Sequence, residues 1–157
     1  MIPFGLTEAQ FADRYRGILD RQTKPAVSTI KEVLAQALPD AVLTAQVEVF
    51  LDDSGYSAPA VWLYFSGKNT RISKSDKSIF PGRSLQFEFN LAALADFDEE
   101  YFTSEFNGLG VAADVMRQWV AECWWKAGGW SYRIPVFLAV HDGWGNGKLV
   151  SLTESDA

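Results

Sequence analysis

A chain of 157 residues fits one globular domain, 1–157, and is long enough to bury about 70% of the surface its unfolded form exposes. One cysteine excludes an intramolecular disulfide, and a net charge of −6 works against binding to nucleic acid and other polyanions. The longest apolar runs, Ala60 to Phe65 and Pro135 to Val140, fall far short of the ~20 residues a membrane helix needs. The opening MIPFGLTEAQF has no basic segment leading into an apolar one, so a cytoplasmic protein without a membrane partner is expected.

Thr7 and Gln10 have capping-box spacing, and Phe11, Tyr15, Ile18 and Leu19 follow at i, i+4, i+7 and i+8. This predicts a first helix over about 7–21. Pro25 suits the first turn of a second helix, whose apolar stripe runs through Val27, Ile30, Val33, Leu34, Ala37 and Leu38 until Pro39. The short link between the two predicts an antiparallel helical hairpin.

From Val42 the period becomes two. Leu43, Ala45, Val47, Val49 and Leu51 share one face, while Thr44, Gln46, Glu48 and Asp52 make the other face polar. Asp53, Ser54 and Gly55 signal a turn, and Ala60 to Phe65 is apolar on both sides, as in a central strand. Trp62 and Tyr64 fall on its second face and need either a cover or a role in an aromatic surface. Gly67 to Ser84 is long for a connection in a compact domain, which suggests a functional or disordered segment open to proteolysis at Lys74 or Lys77. Leu85, Phe87, Phe89 and Leu91 alternate with Gln86, Glu88 and Asn90 as a third strand, and an acidic loop with a short helical turn follows.

The stretch from Trp119 to Gly147 holds five of the six tryptophans, the one cysteine and the one histidine. At about 100° per residue, Ala112, Val115, Met116, Trp119, Val120, Cys123 and Ala127 form the core face of a third helix, opposite Asp114, Arg117 and Gln118. Lys126 and Gly128-Gly129 mark its end, and Trp124 and Trp125 lie off the core face. Tyr132, Ile134, Val136, Leu138 and Val140 then alternate with Arg133, Pro135, Phe137, Ala139 and His141. Pro135 points to an edge or a bulge. A glycine-punctuated turn, Asp142 to Gly147, leads to a returning strand, Lys148 to Thr153. The expected fold is α+β in the order ααβββαββ: an antiparallel sheet of about five strands with an N-terminal helical hairpin and a third helix packed against it.

No spacing in the chain names a reaction. Cys123 lies near a helix C-terminus, where the dipole disfavours thiolate, and is expected to be inert core. His141 and Asp142 could serve a hydrolase, but neighbours along a strand point to opposite faces. One His and one Cys do not make a zinc site, and Gly143, Gly145 and Gly147 match neither a P-loop nor a dinucleotide fingerprint, so no metal or cofactor is expected. Charge is uneven: Lys68, Arg71, Lys74, Lys77 and Arg83 against Asp76 give a local +4 and leave −10 elsewhere. The residues surplus to the fold are Trp124, Trp125, Trp130 and Trp144, with His141 and Asp142 beside them. They suggest an aromatic recognition patch on a non-enzymatic protein-binding module of inhibitor or immunity-factor type, whose acidic surface suits a basic partner. The alternatives are a small-ligand module that stacks glycans or nucleotides on exposed indoles, or the hydrolase.

Overall fold

The computed structural model describes residues 1–52, 57–67 and 83–154. Over these residues the chain forms helix α1 (Glu8–Asp20), helix α2 (Thr23–Leu34), strands β1 (Val42–Phe50), β2 (Ala60–Gly67) and β3 (Ser84–Phe87), helix α3 (Gly108–Lys126), then β4 (Val136–Val140) and β5 (Val150–Ser151). Single 3-10 turns at Ala92–Asp96 and Glu99–Phe102 occupy the acidic stretch. Among the described residues no helix is long and apolar enough to cross a membrane.

Both halves of the capping box form at α1: the Thr7 hydroxyl accepts from the Gln10 amide at 3.2 Å, and the Gln10 side chain accepts from the Thr7 amide at 2.9 Å. Its stripe of Phe11, Tyr15, Ile18 and Leu19 is buried. The second helix ends at Leu34, short of Pro39. The expected helical hairpin is replaced by a different arrangement, in which α1 and α2 each pack against α3. Arg16 pairs with Glu122 across the first of these contacts, and the Trp119 indole N–H donates to the Thr23 hydroxyl at 2.9 Å across the second.

The class is α+β, but the sheet is mixed where an antiparallel one was expected. Its order is β3-β2-β1-β4-β5, with β1 and β4 parallel and all other pairs antiparallel. A parallel pair requires a crossover, and α3, 19 residues and therefore about 28 Å long, supplies it by carrying the chain back along the sheet. Pro135 sits immediately before an inner strand rather than on an edge, and its carbonyl accepts from the Ala45 amide at 3.0 Å. The third strand is also shorter than the alternation suggests. The Phe89 amide turns back to the Phe87 carbonyl at 2.9 Å, and Phe89 packs edge-on to Trp119.

Helices cover one face of the sheet. Val47, Val49, Leu63, Phe65, Val136 and Leu138 point into that layer and are fully or almost fully buried. A register shift between Val42 and Thr44 turns Leu43 outward, so it is 48% exposed where the alternation placed it in the core. No described α-helix lies on the opposite face, whose end is reached by the 3-10 turn His141–Gly143.

Candidate functional site

The end of α3 meets a short 3-10 turn, Gly129–Ser131, and the C-terminal segment. Here the four candidate tryptophans separate. Trp124 is 1% exposed and belongs to the core, which corrects its place in the expected patch. Tyr132 packs edge-on to its indole at 5.8 Å, and the backbone of Gly129 lies against the ring. A Cβ on Gly129 would come within 2.2 Å of Trp124 Nε1. Gly129→Ala should therefore cost about 1–3 kcal/mol of stability in denaturant titrations, the range of an overpacked core.

Trp125, Trp130 and Trp144 are 40%, 48% and 37% exposed. Trp125 and Trp130 meet edge to face at 6.2 Å. Each is held from behind: the Trp125 indole N–H donates to the Leu152 carbonyl at 3.2 Å, and the Trp130 carbonyl accepts from the Glu154 amide at 2.9 Å. The Trp125 ring is thus fixed at its N–H, the Trp130 ring packs on its edge, and both remain largely exposed. Leu149, just before β5, is 63% exposed.

Trp144 stands on the glycine-rich loop, where Asp142, Gly143, Gly145 and Gly147 all have left-handed φ angles. Two side chains of α3 latch this loop. Arg117 donates to the Trp144 carbonyl at 2.9 Å and to Asp114 Oδ1 at 2.6 Å, and Asp114 Oδ1 accepts a further bond from the Asn146 amide at 2.9 Å. Gly145 lies so close that a Cβ there would fall within 2.2 Å of the Asp114 carboxylate. Helical periodicity puts Arg117 on the solvent side, yet it is 4% exposed, because the loop folds over that flank. The sequence did not single out this pair as the latch of the loop. The i,i+3 spacing of Asp114 and Arg117 on α3 was the one signal the sequence offered.

Between the latch and Trp125 runs an open groove of about 400 Å³, lined by Asp114, Arg117, Gln118, Ala121, Trp125, Asn146 and Val150. Its walls mix one indole, an aliphatic patch and four polar side chains.

His141 and Asp142 lie elsewhere. β4 ends at Val140, so the reasoning from strand neighbours does not apply, and the turn at Asp142 brings its Oδ1 to 3.5 Å from His141 Nε2. His141 Nδ1 is 3.0 Å from Glu48 Oε1, and the ring lies on Phe50 with centroids 4.6 Å apart. Cys123 is fully buried, and burial pushes its thiol up to about 11. His141 bonds Glu48 and is not paired with this thiol as a nucleophile and base would be. Native-state thiol labelling at neutral pH should be slow and accelerate on unfolding. Because the unfolded thiol ionises at lower pH than the folded one, Cys123 also stabilises the fold below about pH 9 and loses that contribution as the pH rises toward 11.

Among the described residues no group of three or more His, Cys, Asp or Glu side chains is placed to hold a metal ion. Lys68, Arg71, Lys74 and Lys77, and the proteolysis expected at Lys74 and Lys77, lie outside the described residues. Arg83 leads into β3, and its carbonyl accepts from the Phe65 amide at 2.9 Å. Compared with known proteins, the chain matches no family model, no curated protein and no solved structure.

Proposed function

We propose that the protein is a non-enzymatic binding module of inhibitor or immunity-factor type, which recognises another protein through Trp125, Trp130 and Trp144. The observation that carries this reading is the exposed Trp125–Trp130 pair, in which the Trp125 indole N–H is anchored to the Leu152 carbonyl and the Trp130 backbone to the Glu154 amide while both residues keep 40% or more of their surface exposed. Rigid indoles lose little entropy on binding and supply the desolvated centre of an interface. The latched loop carries Trp144 in one conformation, which lowers the ordering cost further. A net charge of −6 favours fast association with a basic partner.

The groove favours a second reading. Trp125 as a stacking wall with Gln118, Asn146 and Asp114 beside it suits a glycan or a nucleotide base. Side-by-side capture from source-cell lysate on immobilised wild type and on Trp125→Ala/Trp130→Ala separates the two. A protein retained stoichiometrically by wild type and lost on the double variant is the expected result. Retention of glycans or nucleotides with no protein would favour the second reading.

A further inference from the structure

Glu48 is the one charged residue in the five strands of the sheet. It lies at the middle of β1, in register with Trp62 on β2 and Ala139 on β4, and it projects from the face on which no described α-helix lies. Its side chain is 22% exposed, so a carboxylate has been drawn partly out of water among rings. That placement is costly for a charge without a close partner. Oε1 meets His141 Nδ1 at 3.0 Å, and among the described residues Oε2 has no hydrogen-bond partner.

The surroundings show what this carboxylate accepts. His141 is a planar group that lies on the Phe50 ring, 4.6 Å between centroids and tilted by 36°, with a ring nitrogen directed at Glu48. An arginine guanidinium makes the same pair of contacts, face to an aromatic ring and N–H to a carboxylate, and adds a full charge. On the β2 side of Glu48, Trp62 and Tyr64 are half-buried and nearly parallel, 6.4 Å apart at 22°. Burial and then the Glu48 charge push the Tyr64 phenol up, which puts that carboxylate within electrostatic reach of the second aromatic pair.

We propose that the sheet face on which no described α-helix lies is a docking site for an arginine side chain of a basic protein partner, with Glu48 as its carboxylate and Phe50, Trp62 and Tyr64 as the rings around it. The guanidinium enters above Glu48 between the His141–Phe50 stack and the Trp62–Tyr64 pair, and bonds the oxygen that His141 leaves free. No cationic side chain projects from any strand of the sheet to compete with it. The site is separate from the Trp125–Trp130 patch and does not rest on it.

Nuclear magnetic resonance of the full chain with Nα-acetyl-arginine amide as the probe tests this, read at the Trp62 indole N–H, which Trp62→Phe identifies. The expected result is a saturable shift that the uncharged citrulline analogue does not give. Glu48→Gln, which keeps an acceptor for His141, should weaken the probe at least about fivefold. Phe50→Leu, which keeps the carboxylate, should weaken it less, and Trp125→Ala/Trp130→Ala should leave it unchanged. Equal shifts with citrulline, or unaltered affinity in both Glu48→Gln and Phe50→Leu, would overturn the proposal. A Trp62 shift that follows protein concentration without the probe would assign the face to a second copy of the chain and overturn it as well.

Discussion

Trp124→Ala should lower the free energy of unfolding by about 3–5 kcal/mol, whereas Trp125→Ala, one residue along the same helix, should cost under about 1 kcal/mol. The difference follows from what surrounds each ring. Trp124 is enclosed by Tyr132 and by the Gly129 backbone, and removing its indole leaves a cavity that two rigid neighbours cannot collapse into. Trp125 already shows 40% of its surface to solvent, so truncation removes one edge contact with Trp130 and one hydrogen bond to the Leu152 carbonyl. Trp124 Nε1 is buried with no acceptor among the described residues, so Trp124→Phe discards a donor that contributes nothing and should cost less than the alanine variant. Chemical denaturation of the three variants checks the ordering.

Asp114→Ala should cost about 2–3 kcal/mol, a large loss for a side chain that is itself half exposed. One oxygen of Asp114 receives both the Arg117 guanidinium and the Asn146 amide. Without it, a guanidinium that is almost wholly buried keeps only the Trp144 carbonyl among the described residues, where its Nε already lacks a partner. An uncompensated buried cation is more damaging than the reverse deletion, because Asp114 stranded by Arg117→Met can turn to water. Asp114→Ala should therefore destabilise more than Arg117→Met. Amide exchange at Asn146 should speed up in the alanine variant beyond what its global stability predicts, reporting release of the loop.

Local physics made part of this molecule legible. The Thr7–Gln10 box, the buried stripe of α1 and the alternation through Ile134, Val136, Leu138 and Val140 depend on neighbours in sequence, and the structure has them. The left-handed angles at Gly143, Gly145 and Gly147 were equally readable, since glycine alternation is an economical source of positive φ. Strand direction was not. Periodicity assigns faces but carries no arrow, and only the return of the chain along α3 makes β4 parallel to β1.

The exposure of the candidate tryptophans was legible for three of them and missed for Trp124, for the same reason. A helical wheel distinguishes one flank from the other but does not know what folds over it. Trp124 and Arg117 lie off the apolar stripe, and both are buried because later segments, the Gly129 turn and the 141–149 loop, close on those flanks. Trp125, about 100° further round the wheel and beside the exposed Gln118, stays open. Glu48 was visible only as one polar residue on a wet face. Its isolation as the sole charge of the sheet, and the Phe50–His141 stack beside it, exist only after β1, β2 and β4 have been brought together.

The central claim is that the open tryptophan pair is used for recognition and is surplus to the fold. Its most direct test measures two quantities on Trp125→Ala/Trp130→Ala: unfolding free energy, and affinity for the protein that wild type captures. A stability change within about 1–2 kcal/mol of wild type and a binding loss of at least about 2 kcal/mol, some thirtyfold in Kd, are expected. A stability loss of 3 kcal/mol or more with affinity unchanged among the folded molecules would contradict it, and would place Trp125 and Trp130 with Trp124 in the core.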